Sequence, residues 1–292
     1  MPEVAEDVIN GVMDETAAKN AEMNAQEIIA LVSTEEQCQI AMAEERLTTV
    51  YVDVAGGGYK KALELCEKVK QVGKKAFLVL PHIFRRKEKE KYRTMVEQLR
   101  PELLDGFLVK SLEELAFLKE TGLDRQYEVR LNYNLYVFQQ SAKQFFKKKG
   151  YQRFTVPVEL NEEEITGLGV ADCDFIIYGR LPLMVSAQCV RENVFTCSGG
   201  KKTEGIILKD RMGAEFPVRQ NCDVCYNIIY NSACFSLLGT DVEQRFAPAG
   251  WRLDFTLESK AEMQEVLDAF FDGRSVSGKE SFTKGHFKRG IE

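Results

Sequence analysis

The chain has 292 residues, 45% hydrophobic and 29% charged, with a formal net charge of −6. This composition describes a globular chain with one large core, and it excludes a disordered polymer or a generally basic nucleic-acid-binding surface. No stretch approaches the roughly 18 apolar residues of a membrane span, and eight cysteines are too sparse for a disulfide scaffold.

Residues 1–25 are acidic and carry neither a basic leader nor an apolar run, so they read as a flexible tail rather than a secretory signal. The expected compartment is the cytoplasm, with no membrane partner. Thiols stay reduced there, and a cysteine group reads as metal-binding or catalytic.

A repeating unit follows. Short apolar, β-branched runs at 28–32, 48–53, 76–80, 106–109, 127–131, 154–158, 174–178 and 251–255 predict eight strands. Runs such as FLVL at 77–80 and FIIY at 175–178 lack polar alternation, which predicts burial on both faces, as in a parallel sheet. Amphipathic helices are expected at 34–46, opened by Thr34 as N-cap, at 60–72 before Gly73, at 139–149 before Gly150, and at 260–271 before Gly273. Eight alternating units predict an α/β chain folded as a (β/α)8 TIM-type barrel over residues 26–273, with an open doubly wound sheet as the alternative. Residues 274–292 read as a basic C-terminal tail containing His286.

One connection is too long for a simple crossover. Residues 180–250, between strands seven and eight, form an insertion. It holds a predicted hairpin of 205–209 and 215–218 around the turn 210–213, and it holds Cys189, Cys197, Cys222 and Cys225. Four thiols in one segment without helical or strand periodicity point to a soft-metal site. A zinc knuckle needs two tight pairs, and only Cys222 and Cys225 form one, so zinc and an iron–sulfur cluster both remain open on spacing. The insertion leaves from the C-terminal end of strand seven, the face where barrels carry their chemistry.

Polar residues cluster at the same predicted strand ends: Asp53, His82, Lys110, Asn132, Asn134, Glu159, Arg180 and Asp254. Among these Arg180 and Glu159 stand out, because a guanidinium directly after a buried strand can bind a carboxylate or phosphate bidentately. Gly56, Gly57 and Gly58 follow strand two without a phosphate-loop pattern and read as a flexible turn. Two histidines, His82 and His286, and no HExxH or GxSxG make a hydrolytic triad hard to assemble. Two basic runs, Arg85 to Lys91 and Lys143 to Lys149, read as solvated helix faces that could meet RNA phosphates.

Several segments carry a family resemblance. They are Tyr-Gly-Arg-Leu-Pro-Leu-Met at 178–184, the run 186–189, Leu-Lys-Asp-Arg at 208–211 and Phe-Pro-Val at 216–218. Asn-Cys-Asp-Val-Cys-Tyr-Asn at 221–227, Tyr-Asn-Ser at 230–232, Arg-Leu-Asp-Phe-Thr at 252–256 and Gly-His-Phe-Lys-Arg-Gly at 285–290 complete the set. Together they resemble the collagenase-like peptidase U32 family, over one barrel. Larger bacterial members carry two such barrels, and this chain looks like the second, which makes another U32 barrel an expected partner. The family name implies proteolysis. Its iron–sulfur branches imply instead hydroxylation of RNA bases or of the ubiquinone ring, with prephenate as an anionic co-substrate in some. The resemblance implies a 4Fe–4S cluster on Cys189, Cys197, Cys222 and Cys225, with Cys234 the substitute for the fourth ligand. Of the polar strand ends, Arg180, Glu159, Asn132 and Asn134 are the residues expected around such a redox site. A metal-dependent peptidase and a non-catalytic barrel with a structural cluster are the alternatives. Cys38, Cys66 and Cys173 read as core.

Overall fold

The computed structural model describes residues 26–190, 205–222, 224–277 and 281–289. Seven parallel strands run in chain order: β1 (Glu27–Val32), β2 (Thr49–Asp53), β3 (Lys75–Val79), β4 (Gly106–Val109), β5 (Glu128–Leu131), β6 (Arg153–Thr155) and β7 (Cys173–Gly179). A long insertion then carries β8 (Pro182–Ser186), β9 (Ile206–Lys209), β10 (Glu215–Asn221), β11 (Tyr226–Tyr230) and β12 (Cys234–Ser236). The next strand, β13 (Gly250–Asp254), pairs in parallel with both β1 and β7 and closes the barrel. The fold is therefore the (β/α)8 barrel expected from the repeat, and the open sheet is excluded.

The helices are α1 (Glu35–Ala43), α2 (Gly58–Gln71), α3 (Arg86–Val96), α4 (Leu112–Glu120), α5 (Gln140–Lys148), α6 (Glu162–Leu168), α7 (Val242–Arg245) and α8 (Lys260–Phe271). Thr34 caps α1 as expected, its side chain accepting from Gln37 N–H. The helix ends three residues earlier than the pattern suggests. Glu44 turns extended, and Lys74 Nζ donates to the freed carbonyls of Glu44 and Leu47 at 2.5 and 2.6 Å. The sixth strand also stops early, at Thr155, because Pro157 has no N–H to continue the ladder.

Two kinds of side chain fill the barrel bore. Strands β1 to β4 send in Ile29, Leu31, Tyr51, Phe77, Val79 and Leu108, a compact apolar cluster. The later strands send in Arg130, Asn132, Thr155, Asp174, Arg252 and Asp254, all buried. At the lower end Arg130 Nη1 binds Glu27 at 2.7 Å and Tyr51 Oη at 2.8 Å. Tyr51 donates to Asp174, which also holds Arg153 at 2.6 Å. Burial opposes the charge on Glu27, but its contacts with Arg130 win and hold its carboxyl down at about 2.

The insertion is a second sheet of four antiparallel strands in the order β8-β11-β10-β9. The β9–β10 hairpin matches the sequence pattern. Its turn is fixed by Asp210 Oδ1, which accepts from the N–H groups of Met212 and Ala214 at 2.8 and 2.9 Å. Strand β12 leaves this sheet and returns to the barrel wall, pairing with β7 and with β14 (Phe282–Thr283). Near the C-terminus Phe287 is buried against Phe246. Among the described residues no helix is long and apolar enough to cross a membrane.

Candidate functional site at the barrel mouth and its cap

The antiparallel sheet lies across the C-terminal mouth of the barrel, and three contacts fix it there. Tyr226 Oη accepts from His82 N–H at 3.2 Å, just beyond β3. Arg219 Nη2 donates to the Thr256 carbonyl beyond β13. Ile83 and Val224 pack beside Tyr226, Ile228 and Tyr230. Side chains two apart share a face, so Arg219, Asn221, Tyr226, Ile228 and Tyr230 form the underside of this cap.

Beneath it are two buried ion pairs. Lys110 Nζ lies 3.1 Å from Asp53 Oδ2. Arg252 grips Asp254 bidentately at 2.6 and 2.9 Å. Burial works against an ionised Asp53, but Lys110 and the Ala55 N–H outweigh it and leave that carboxyl below its ordinary range. For Asp254 burial wins and the carboxyl is raised despite Arg252. His82 is pushed down to about 3 by burial and by the Lys110 charge, so its ring is neutral. Glu114, fully buried, is pushed up to about 8 by the same desolvation. Its Oε2 accepts from Lys110 N–H and Ser111 N–H, while Oε1 has no partner.

The residues expected to form the site part company here. Asn132 and Asn134 do meet at the mouth, joined by an Nδ2–Oδ1 hydrogen bond of 2.5 Å, and Asn132 Oδ1 accepts from Arg252 at 2.8 Å. Glu159 stands on the rim, lining a groove of about 590 Å³ with Phe138 and Gln140. Its Oε2 is buried without a hydrogen-bond partner. Arg180 is drawn to the cap's hinge, where Nη1 donates to the carbonyls of Asn231 and Ser232 at 3.1 Å each. It follows Gly179, where a side chain would meet Asp254 Cβ at 2.8 Å. In the Lys143–Lys149 run Lys147, Lys148 and Lys149 form the solvated face expected, and only Lys143 departs from it. Lys143 is buried on Asp172 and the Gly169 carbonyl, and Lys147 pairs with the same Asp172 at 2.7 Å. These residues also close the C-terminal half of α5, which points away from the mouth.

The cysteines are gathered by strand register. Asn227 pairs with Ser186 across β11 and β8, and Asn221 with Tyr226 across β10 and β11. Cys189, three residues beyond Ser186, therefore reaches the end of the cap where the Cys222–Cys225 hairpin turns. Gln220 Nε2 lies 4.0 Å from the Cys189 sulfur. Cys222 and Cys225 are exposed. Cys225 has a φ of 51°, the left-handed region that favours glycine. Cys197 falls outside the described residues, as do residues 1–25. Among the described residues no three His, Cys, Asp or Glu side chains converge on one ion. The donor chemistry fits a thiophilic metal or cluster, with three described thiols at one cap end. Cys234 does not fit. It is buried in the main core on β12, past the opposite end of β11. Cys38, Cys66 and Cys173 are core residues as expected, and burial pushes the Cys38 and Cys173 thiols up to about 12.

Sequence reasoning missed Arg219, Tyr226, Tyr230 and Glu114, and it passed over Arg252 inside a strand. A charged residue in the middle of WRLDF was the available signal, since a strand buried on both faces keeps such a residue only with partners. A family model described as peptidase family U32 matches residues 58–233, more than half of the chain. The match contains Cys189, Cys197, Cys222 and Cys225 and stops one residue before Cys234. No curated protein matches the chain.

Proposed function

The chain belongs to peptidase family U32, and on that premise we propose that it is an iron–sulfur enzyme that hydroxylates RNA bases. The observation that carries this reading is the register bringing Cys189 to the Cys222–Cys225 end of a cap laid over a polar barrel mouth. Cys189, Cys197, Cys222 and Cys225 would hold a 4Fe–4S cluster. Such a cluster supplies one-electron redox chemistry when bound.

The mouth's own residues have the other roles. Asn134, positioned by the buried Asn132, offers an amide group of the kind that reads the polar edge of a base. Tyr226 and Tyr230 exclude water above them. An anionic co-substrate such as prephenate would share the mouth. RNA phosphates would meet a groove of about 580 Å³ lined by Arg85, Arg86 and Lys89 together with His82 and Ile83, next to the cysteine hairpin.

The peptidase reading is weaker on chemistry. Amide hydrolysis needs an activated nucleophile or metal-bound water and a donor set for the oxyanion. His82 is half-buried and neutral, and among the described residues no Ser, Thr or Cys is hydrogen-bonded to it.

Anaerobic purification with iron, sulfide and zinc analysis tests the cofactor. Stoichiometric zinc without sulfide would overturn the cluster. Nucleoside mass spectrometry of RNA from a strain lacking the gene tests the reaction. An unchanged hydroxylation profile, with gelatin cleavage that is lost in Cys222→Ser, would favour the peptidase.

A further inference from the structure

The cap underside contains donors with nothing to donate to. Arg219 Nη1 and Thr256 Oγ1 are buried and make no hydrogen bond, and Asn221 Nδ2 beside them has only the Tyr226 hydroxyl within reach. They are close neighbours. Arg219 and Asn221 share one face of β10, and Arg219 Nη2 donates to the backbone carbonyl of Thr256. Asn221 is 3% exposed and Thr256 is 7% exposed, so bulk water does not satisfy them. A buried polar group left without a partner costs about 1–3 kcal/mol, so donors gathered in one place call for something to accept from them.

The two ion pairs directly beneath the cap are matched. Asp53 has Lys110 and Asp254 has Arg252. Glu258 accepts from Thr256 N–H, Leu257 N–H and the Tyr178 hydroxyl. Among the described residues Arg219 alone of these cations has no carboxylate partner. The spare hydrogen-bonding capacity of Arg219, Asn221 and Thr256 is thus donor-rich and positively charged, which is the complement of an oxyanion.

We propose that Arg219, Asn221 and Thr256 form the binding site for a small oxyanion, a carboxylate or phosphate, held between the cap and the barrel mouth. The site has no share in the cysteine end of the cap. Reading the bound anion as a co-substrate rests on the function proposed above; the binding itself does not. Arg180 keeps Nη1 on two hinge carbonyls, and Arg219 is the guanidinium set against the barrel mouth.

Thermal melting and titration calorimetry of the full chain test this, with malonate, phenylpyruvate, inorganic phosphate and sodium chloride at matched ionic strength. Malonate or phenylpyruvate raising the melting temperature assigns a carboxylate, and phosphate alone doing so assigns a phosphoryl group. Arg219→Gln should weaken the active anion by about tenfold or more, the ratio expected for one charge-assisted hydrogen bond. Asn221→Asp should weaken it further by repulsion, and Arg219→Lys should retain part of it. Near-ultraviolet circular dichroism of each unliganded variant reports whether the fold is intact. No anion shifting the wild-type chain, or a folded Arg219→Gln binding as tightly as wild type, would overturn the proposal. Anion binding that is lost in Arg219→Gln, with no RNA hydroxylation by the wild type, would leave this site standing while the reaction falls. Hydroxylation intact in an Arg219→Gln chain that no longer binds the anion would leave the reaction standing while the anion's co-substrate role falls.

Discussion

Arg252 Nη1 and Asn132 Oδ1 meet at 2.8 Å across the barrel mouth, although 120 residues separate them in the chain. The bond ties the strand that closes the barrel to β5, and Asn132 passes it on to Asn134. Arg252 is 1% exposed, so loss of this acceptor leaves a buried guanidinium N–H partly unsatisfied. Asn132→Ala should destabilise the fold by about 2 kcal/mol. Urea unfolding measures this, and an unchanged midpoint would show the link to be idle.

Glu114 sets a pH dependence. Its folded carboxyl is raised to about 8, above its ordinary 4.5, so the folded state binds the extra proton between these values. Stability from this group is present below the unfolded value and is lost as pH rises toward 8, with a slope of up to about 1.4 kcal/mol per pH unit. Glu114→Gln keeps an acceptor for Lys110 N–H and Ser111 N–H and removes the titration. The stability difference between variant and wild type should therefore grow from pH 5 to pH 8, in the variant's favour. Parallel stability–pH curves would contradict the assignment.

Cys225 occupies a backbone conformation that costs a non-glycine residue about 1 kcal/mol. If the thiol were only a hairpin residue, glycine would serve better. Cys225→Gly should stabilise the metal-free chain slightly and abolish iron uptake. A variant that keeps its iron would remove Cys225 from the ligand set.

The buried position of Cys234 separates it from the other candidates. Cys234→Ser should lower the melting temperature while iron content per folded chain holds. Cys189→Ser and Cys222→Ser should lose iron. Loss of iron in a folded Cys234→Ser would restore it as a ligand.

The two basic runs should behave differently toward RNA. Arg85 and Arg86 are exposed at the start of α3, on the mouth side, with no ion-pair partner among the described residues. Arg85→Glu with Arg86→Glu should weaken single-stranded RNA binding and flatten its salt dependence by about two counterions. Lys148→Glu with Lys149→Glu should leave both unchanged. Equal effects from the two pairs would mean diffuse electrostatics rather than a groove.

The sequence by itself determined the barrel. Eight apolar runs and their helices repeat with local signals, such as the Thr34 cap and the glycines after helices, and each signal needs only its neighbours. It also singled out the cysteines and the polar strand ends, because thiols and buried-strand termini are rare enough to notice one at a time. It could not pair β8 with β11, since those strands lie about forty residues apart and neither shows an alternating pattern that sets a register. That pairing brings Cys189 to the cap end of Cys222 and Cys225 and leaves Cys234 beyond the opposite end of β11. It also decides the fate of the arginines. Arg180 follows a strand and looked like an anion holder, but a position's partners depend on what folds above it. The cap's hinge takes Arg180 Nη1 for its carbonyls and leaves Arg219, half-buried over the mouth, with a buried donor to spare.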